Sequence, residues 1–394
     1  MPLRERSVLR YDILLSAVIL FLTLLGLVTL YSASYLFALN QPVRFKDGLA
    51  PISSNVIAFV IMLVFFPILA LSGLDWLKKD KMVVALVFLT IALNILPFFP
   101  VFQKSSHRQG IDAMRWIVIK RGGRDVVSFQ PSEIIKIVLP LYLAYILDKN
   151  NDRLNKLVYG PLPPLIVTAV FCALVLKQDN FSEAFLIALT SLIICFTAGI
   201  RLRYFALALV IMLPIAYKLT FGNKEGRWFG RIASFLNPGS DPFGTGYQIG
   251  MSKEAIISGG FWGKGIGQGA LKTRMPEVHG DFVFASYAEE SGLLGVILYI
   301  ITIGIFAWLG YLVAWRSRDR FAQLFAFGLV TSLVVQTLLN IAVVAEIIPT
   351  TGVPLPFVSS GGSSLLMTLT GAALLVNVAR QHILSLDMGG QNAG

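Results

Sequence analysis

The chain is poor in charge and in cysteine. Only 14% of its 394 residues are charged, where about 25% is usual in soluble domains, and 56% are hydrophobic. No soluble protein of this length can bury so much apolar surface, so a water-soluble enzyme, a disordered chain and a secreted disulfide scaffold are excluded. The two cysteines, Cys172 and Cys195, lie inside apolar runs and are typical of small buried hydrophobes. The composition therefore predicts a polytopic membrane protein.

About ten apolar segments are long enough to cross a bilayer, which needs roughly 20 helical residues. We place them at residues 13–33, 55–74, 82–99, 132–147, 158–176, 181–200, 204–221, 292–315, 321–347 and 363–378. No strand pattern and no internal repeat stands out. We therefore predict an all-α fold in which residues 1–394 form a single integral membrane domain.

Basic residues predict the orientation. Most lysines and arginines of the short loops fall on the side of the amino terminus, so we expect both termini to be cytoplasmic. Two longer loops on the outer side are also rich in basic residues. They are 100–131 and the large 222–283 loop between the seventh and eighth predicted transmembrane helices. They suit either an anionic partner, such as a phosphate-bearing lipid, or a solvated surface attracted to acidic headgroups. Composition alone does not choose between the two.

A glycine-rich run at 259–269 invites comparison with a phosphate-binding loop. In such a loop a Ser or Thr follows the Gly-Lys pair, whereas Gly265 follows Lys264 here. The glycine required five positions before Gly263 is Ser258, and no strand is predicted ahead of the run. A turn lying against the membrane is therefore favoured over nucleotide binding.

Asp281 stands where the 222–283 loop meets the next apolar run. One interpretation is a helix N-cap, a common role for Asp at such a junction. The other is a carboxylate at the outer edge of a partly dry site, tuned by desolvation to act as a general base. The local sequence by itself favours the cap. The apolar run 282–315 is too long for one perpendicular span, so we expect its helix to begin before the membrane or near a polar cavity.

Charged residues interrupt several spans. Glu289 and Glu290 are too costly to face lipid and should face protein or a water-filled cavity. Glu133 and Lys136 lie three residues apart on one helix face, which favours an intrahelical salt bridge without explaining why both charges are near the membrane. The polar stretch 177–180 forms a tight connection between two spans and could line a cavity.

The uncharged segment 349–364 contains three prolines and three glycines and cannot be helical throughout. Irregular backbone at membrane depth must be buried in protein or line a cavity. A structural re-entrant turn and the wall of a substrate cavity are both compatible with it. Gln336 and Asn340, four residues apart in one span, suit hydrogen bonding between helices.

These segments together resemble the SEDS family of cell-wall polymerases, which includes the FtsW, RodA and SpoVE types. The resemblance covers nearly the whole chain, and its matching pieces are Arg115-Trp116, 129–133 with Lys136, Lys177-Gln178, 231–238, 241–248, 276–284, Glu289-Glu290 and 349–364. The loop from 231 to 248 is more similar to FtsW than to RodA.

The resemblance implies a peptidoglycan glycosyltransferase with ten transmembrane helices. It would polymerise lipid II into glycan strands at the outer face of the bacterial cytoplasmic (inner) membrane, for cell division or elongation. The implied partners are lipid II, the lipid-linked glycan strand and a class B penicillin-binding protein as transpeptidase, with no nucleic acid.

The family's catalytic aspartate falls on Asp281, which outweighs the local preference for a cap. We expect the following to bind substrate: Arg115, Glu133, Lys136, Lys177, Gln178, Asn180, Arg231, Gln248, His279, Glu289, Gln336, Asn340, Ser359 and Ser363.

The chain departs from the family pattern near these residues. The usual Lys-Gln-Pro-Asp is Lys-Gln-Asp-Asn here, so the family's acidic position is Asn180. Four other positions differ from the residues common in the family. Ser128 stands in place of a basic residue, Gly280 in place of Thr, Ser291 in place of Leu and Ser360 in place of Tyr. Asp281 itself is retained.

In the implied reaction, Asp281 takes the proton of a sugar hydroxyl as that oxygen attacks C1 of the growing glycan and expels lipid pyrophosphate. Cations such as Arg115 or Lys136 would stabilise the leaving group. No Asp-x-Asp or His/Asp cluster marks a metal site, although a divalent cation, Mg²⁺ or Mn²⁺, could assist. Two alternatives stay open: a lipid II flippase, which needs no base, and a non-catalytic scaffold that activates the transpeptidase.

Overall fold

The structure is a computed structural model. It describes residues 10–40, 50–99, 115–121, 124–207, 210, 227–237, 245–270, 274, 278 and 280–391. Its helices are α1 (Tyr11–Asn40), α2 (Ala50–Leu71), α3 (Asp80–Ile95), α4 (Ser132–Lys149), α5 (Leu162–Lys177), α6 (Phe181–Thr197), α7 (Arg227–Leu236), α8 (Thr245–Gly259), α9 (Val283–Arg316), α10 (Arg320–Val344) and α11 (Gly362–Gln391). Single 3₁₀ turns follow α3 (Leu96–Phe98) and α4 (Asn151–Arg153).

Six stretches of these helices are long and apolar enough to cross a membrane: Tyr11–Ala33, Ile52–Leu71, Asp80–Phe98, Val283–Arg316, Arg320–Val344 and Gly362–Gln381. The shorter apolar helices α5 and α6 occupy two more predicted spans. Helix α4 occupies another and is more polar, because it carries Glu133, Lys136 and Lys149. The predicted span at 204–221 lies mostly outside the described residues. The all-α, multi-pass architecture is confirmed.

One segment contradicts the expectation that the chain has no strands. Ile117–Arg121 (β1) pairs antiparallel with Arg124–Phe129 (β2), with Ile117 opposite Phe129 and a register shift after Ile119. The sequence carries the signal, since β-branched residues flank a Gly-Gly pair, the composition of a tight hairpin. This hairpin connects Arg115 to the start of α4.

Helix α9 is broken near its amino-terminal end. Gly292 has φ 64° and ψ −166°, so a short helix from Val283 precedes the break and the long apolar helix follows it. The break was not predicted from the sequence, and the start of this helix before the membrane or near a polar cavity stays a prediction.

The glycine-rich run packs onto this break. The N–H groups of Lys264 and Gly265 donate to the carbonyls of Glu289 and Glu290 at 3.0 and 2.9 Å. A Cβ added to Gly292 would collide with the backbone nitrogen of Gly263. The glycines therefore permit two backbones to meet closely and brace the broken helix.

Residues 345–361, between α10 and α11, are irregular, as the prolines and glycines predict. Val353, Leu355, Phe357 and Val358 are nevertheless buried. The backbone of Phe357 approaches Gly26 of α1 so closely that a side chain there would collide with it. The segment is thus enclosed by helices, as backbone at membrane depth requires.

Candidate functional site

Asp281 lies in the turn before α9. The helix begins at Val283, and Phe282 occupies the N-cap position without a side-chain hydrogen bond. Asp281 therefore stands one residue outside the N-cap, contrary to the cap interpretation. Its backbone is fixed, because Asn340 Nδ2 donates to its carbonyl at 2.9 Å and Ser359 Oγ donates to the carbonyl of the preceding glycine at 2.8 Å.

The carboxylate of Asp281 faces Gly352. Its Oδ2 lies 3.4 Å from the position that a Cβ would take on Gly352, and Nη1 and Nη2 of Arg231 each lie 3.8 Å from the same point. Arg231, on α7, donates through Nη1 to the carbonyls of Thr350 and Thr351 at 3.3 and 3.1 Å. The missing side chain at Gly352 thus leaves a carboxylate and a guanidinium around one point. Such a pair offers a base to take a proton and a cation to stabilise developing negative charge.

Side chains of α10 hold the irregular segment in place. Asn340 Nδ2 also donates to the Val353 carbonyl at 2.8 Å, and Gln336 Nε2 donates to the Pro354 carbonyl at 2.7 Å. Ser359 Oγ accepts from the Leu355 N–H at 2.6 Å. The predicted residues Gln336, Asn340 and Ser359 are therefore buried beside Asp281 and engaged with main chain. Their binding of substrate stays a prediction.

A buried ionic cluster lies behind this segment. Lys136 Nζ is 2.9 Å from Glu133 Oε2 and 3.3 Å from Glu183 Oε1, and it donates to Gln336 Oε1 at 3.0 Å. The side chains of Glu133, Lys136 and Glu183 are 1%, 8% and 2% exposed. The predicted salt bridge between Glu133 and Lys136 is thus confirmed, and a second carboxylate joins it.

The turn between α5 and α6 is tied to the hairpin and to α3. Arg115 Nε donates to the Gln178 carbonyl at 3.1 Å, and its Nη2 donates to the next carbonyl. Gln178 Nε2 donates to the Asn94 carbonyl at 2.8 Å. Asn180 is the N-cap of α6 and accepts from the Glu183 N–H at 3.4 Å. Arg115, Gln178 and Asn180 therefore stabilise this turn, and their role in substrate binding stays a prediction.

The two glutamates of α9 are buried, as expected. Glu289 Oε1 lies 2.7 Å from Lys264 Nζ and accepts from the Ala270 N–H at 3.0 Å. Glu290 accepts from Ser32 Oγ on α1 at 2.7 Å. These contacts fix the short amino-terminal part of α9 to the glycine-rich run and to α1.

The remaining predicted residues lie apart. Lys177 is exposed at the end of α5, Gln248 is half-buried on α8, and Ser363 is buried on α11. Within the described ranges, none of the three makes a hydrogen bond or ion pair with another predicted site residue. His279 lies outside the described residues. Among the described residues, no group of three or more His, Cys, Asp and Glu side chains could hold a metal ion.

Residues 12–383 match the family of FtsW, RodA and SpoVE, described as cell cycle proteins. The chain belongs to this family. The identification made from the motifs is thus confirmed.

The chain is similar to known proteins over nearly their whole length. "Probable peptidoglycan glycosyltransferase FtsW" of Geobacter sulfurreducens is 34% identical over 96% of this chain and 97% of that protein. The protein of the same name in Borreliella burgdorferi is 34% identical over 92% and 95%. "Stage V sporulation protein E" of Bacillus subtilis is 29% identical over 94% and 97%.

Solved structures share the fold. One, described as "Structural coordination of polymerization and crosslinking by a peptidoglycan synthase complex", contains a chain with a TM-score of 0.74 and 25% identity, covering 95% of this chain and 99% of that one. Thermus thermophilus rod shape determining protein RodA has a TM-score of 0.64 at 23% identity, covering 95% and 98%. The latter likeness concerns the fold alone.

Four residues of this candidate site were not predicted from the sequence. Glu183 is the second counter-ion of Lys136, and Asn94 anchors Gln178. Asn55 brackets Ser359, donating to its carbonyl at 3.0 Å. Gly352 provides the space between Asp281 and Arg231. A polar residue inside an apolar span, the signal applied to Gln336 and Asn340, would also have found Glu183, Asn94 and Asn55.

Proposed function

We propose that this chain is a peptidoglycan glycosyltransferase that polymerises lipid II at the outer face of the bacterial cytoplasmic membrane. The observation that carries the proposal is the meeting of Asp281 and Arg231 around Gly352, in a chain of the FtsW, RodA and SpoVE family. The curated relatives with 34% identity are named as peptidoglycan glycosyltransferases.

In the proposed reaction, Asp281 accepts the proton of the 4-hydroxyl of the N-acetylglucosamine in lipid II. The freed oxygen forms a bond to C1 of the growing glycan, and the bond from C1 to the lipid pyrophosphate breaks with inversion. The pyrophosphate leaves with the electron pair, and the Arg231 guanidinium stabilises its charge. A base in this role typically contributes about 10²–10⁴-fold in rate.

Lys136 is less suited to hold the leaving group than the sequence suggested. Its ammonium already contacts two carboxylates and an amide oxygen. With both carboxylates ionised the cluster carries a formal charge of −1, which disfavours an anion. Arg231 therefore replaces Lys136 in the proposal.

We propose a class B penicillin-binding protein as the partner. The likeness to a chain of a peptidoglycan synthase complex that coordinates polymerization and crosslinking supports this assignment. Basic short loops on the side of the termini support an outward-facing Asp281.

The test is purified protein incubated with fluorescent lipid II, with and without the partner, and inspected for glycan chains on a gel. Wild-type protein and Asp75→Asn, which neutralises an exposed carboxylate in the turn after α2, should make glycan. Asp281→Asn should fold and make none. Glycan from Asp281→Asn at the wild-type rate would refute the assignment, and lipid II translocation without any glycan from wild type would favour the flippase.

A further inference from the structure

The buried acid Glu183 is not among the motif residues, yet it is one of the two carboxylates that contact Lys136 in the ionic cluster. Its Oε1 is 3.3 Å from Lys136 Nζ, and its side chain is 2% exposed. A buried carboxylate is costly unless a cation compensates it. Lys136 is the cation that compensates it, so the effect of Glu183 should pass through Lys136.

The place of Glu183 on α6 relates it to the motif departure at Asn180. The two residues are three apart on the first turn, and the Glu183 N–H donates to Asn180 Oδ1. In a capping box the glutamate would return to the N–H of the cap residue. That N–H donates instead to the Val175 carbonyl at 3.2 Å, which leaves the Glu183 carboxylate directed to Lys136.

Lys136 in turn determines how Gln336 is oriented. An amide side chain has one accepting and one donating end. Lys136 occupies the accepting end at 3.0 Å, so the donating end is presented to the Pro354 carbonyl at 2.7 Å. One helical turn further along α10, Asn340 holds the carbonyls of Val353 and Asp281. The ionic cluster and the Asp281 backbone are thus joined through two adjacent turns of one helix.

We propose that Glu183 is a positioning residue for the transferase reaction. It supplies, one turn into α6, the carboxylate that the family carries at position 180, and it holds Lys136 so that Gln336 fixes the irregular segment beside Asp281. The proposal rests on the proposed function. It assigns Lys136 to orienting Gln336 and leaves the contact with the leaving group to Arg231.

The experiment compares Glu183→Gln with Glu254→Gln, a matched control that removes an exposed carboxylate on α8. Full-length protein is purified in detergent, and kcat and KM for lipid II are measured. Glu183→Gln should lower kcat at least tenfold with KM changed less than twofold, whereas Glu254→Gln should change neither. Wild-type kcat in Glu183→Gln would overturn the proposal.

Rescue separates positioning from general packing. Adding Asn180→Asp to Glu183→Gln returns a carboxylate to the first turn and keeps a good N-cap. It should restore kcat to within threefold of wild type, whereas Asn180→Gln in the same background should not. Failure of Asn180→Asp to rescue would overturn the proposal that Glu183 supplies the carboxylate carried by the family at position 180. If Glu183→Gln alone does not fold, the same test applies, because the double variant should then recover both the fold and the activity.

A second measurement does not depend on lipid II. Hydrogen exchange of the backbone amides in 352–358 should be at least tenfold faster in Glu183→Gln than in wild type, with exchange in α11 unchanged. Unchanged exchange in 352–358 would contradict the proposal even if activity falls. If the wild-type protein makes no glycan either alone or with the partner, the proposed function fails, while the exchange result still decides the role of Glu183.

Discussion

Asn340 holds the turn that contains Asp281, and the structure gives the size of the effect expected when Asn340 is replaced. Asn340 is 1% exposed, and its Nδ2 donates to the carbonyls of Asp281 and Val353 at 2.9 and 2.8 Å. Asn340→Leu keeps a side chain branched at Cγ but leaves both carbonyls without this donor. An unsatisfied buried acceptor costs about 1–3 kcal/mol, so the pair costs roughly 2–6 kcal/mol.

The consequence for activity follows from where that cost falls. The turn at Asp281 can recover the lost bonds by moving toward water, which displaces the carboxylate from Arg231. A misplacement of this kind costs about 10²-fold in rate. We therefore expect Asn340→Leu to lower kcat about 100-fold in the fluorescent lipid II assay, measured per folded molecule.

The chain offers a matched control in Asn377. This residue is 0% exposed, and its Nδ2 donates to the Leu69 carbonyl at 2.6 Å and to the Ser72 carbonyl. It lies about 20 Å along α11 from the segment beside Asp281, at 1.5 Å per residue. Asn377→Leu should lower the Tm as Asn340→Leu does, with kcat per folded molecule unchanged. Equal kcat in the two variants would refute the positioning of Asp281 by Asn340.

Three further predictions concern the brace, the topology and metal dependence. Gly292→Ala should abolish monodisperse protein in size-exclusion chromatography, because its Cβ meets the Gly263 backbone, whereas Gly304→Ala, with open space around it, should behave as wild type. The two native cysteines are buried, so an impermeant maleimide should react only with an introduced cysteine. It should label Ser128→Cys in intact cells and Asn151→Cys only after permeabilisation, and the reverse pattern would contradict the proposed orientation. If Mg²⁺ or Mn²⁺ assists the reaction, EDTA should lower the rate of glycan synthesis at least tenfold and either ion should restore it; an unchanged rate would remove the cation from the proposal.

Features of the chain that depend on local pattern could be predicted from the sequence. Apolar runs located most spans, and prolines and glycines predicted irregular backbone over 349–364, which the structure shows up to residue 361, before α11 begins at Gly362. The break in α9 at Gly292 was not predicted. Some span ends differ from the prediction. Helix α5 begins at Leu162 instead of residue 158, after a turn at Gly160, and α10 ends at Val344, since Glu346 adopts φ 58°.

Contacts between distant parts of the chain could not be predicted. Asn55 and Ser359 are 304 residues apart in sequence, and Lys136 and Gln336 are 200 apart. Which side chains meet there depends on how α2, α4 and α10 pack, and no local periodicity encodes that packing. The β hairpin is different, because a local pattern does indicate it: β-branched residues lie on both sides of a Gly-Gly pair. The pattern is short beside the long apolar runs of the helices.

The irregular segment explains why so many polar side chains are buried in an otherwise apolar bundle. A regular helix satisfies its own backbone, but a segment broken by prolines and glycines does not, and lipid offers it no partners. Carbonyls of this segment accept hydrogen bonds from the side chains of Gln336, Asn340 and Asn55. Asn340 also donates a hydrogen bond to the carbonyl of Asp281. The polar groups that make the broken backbone tolerable at membrane depth are therefore also the groups that fix the proposed base. A substitution that replaces one of these buried polar groups by an apolar one, such as Asn340→Leu, should for that reason also displace Asp281.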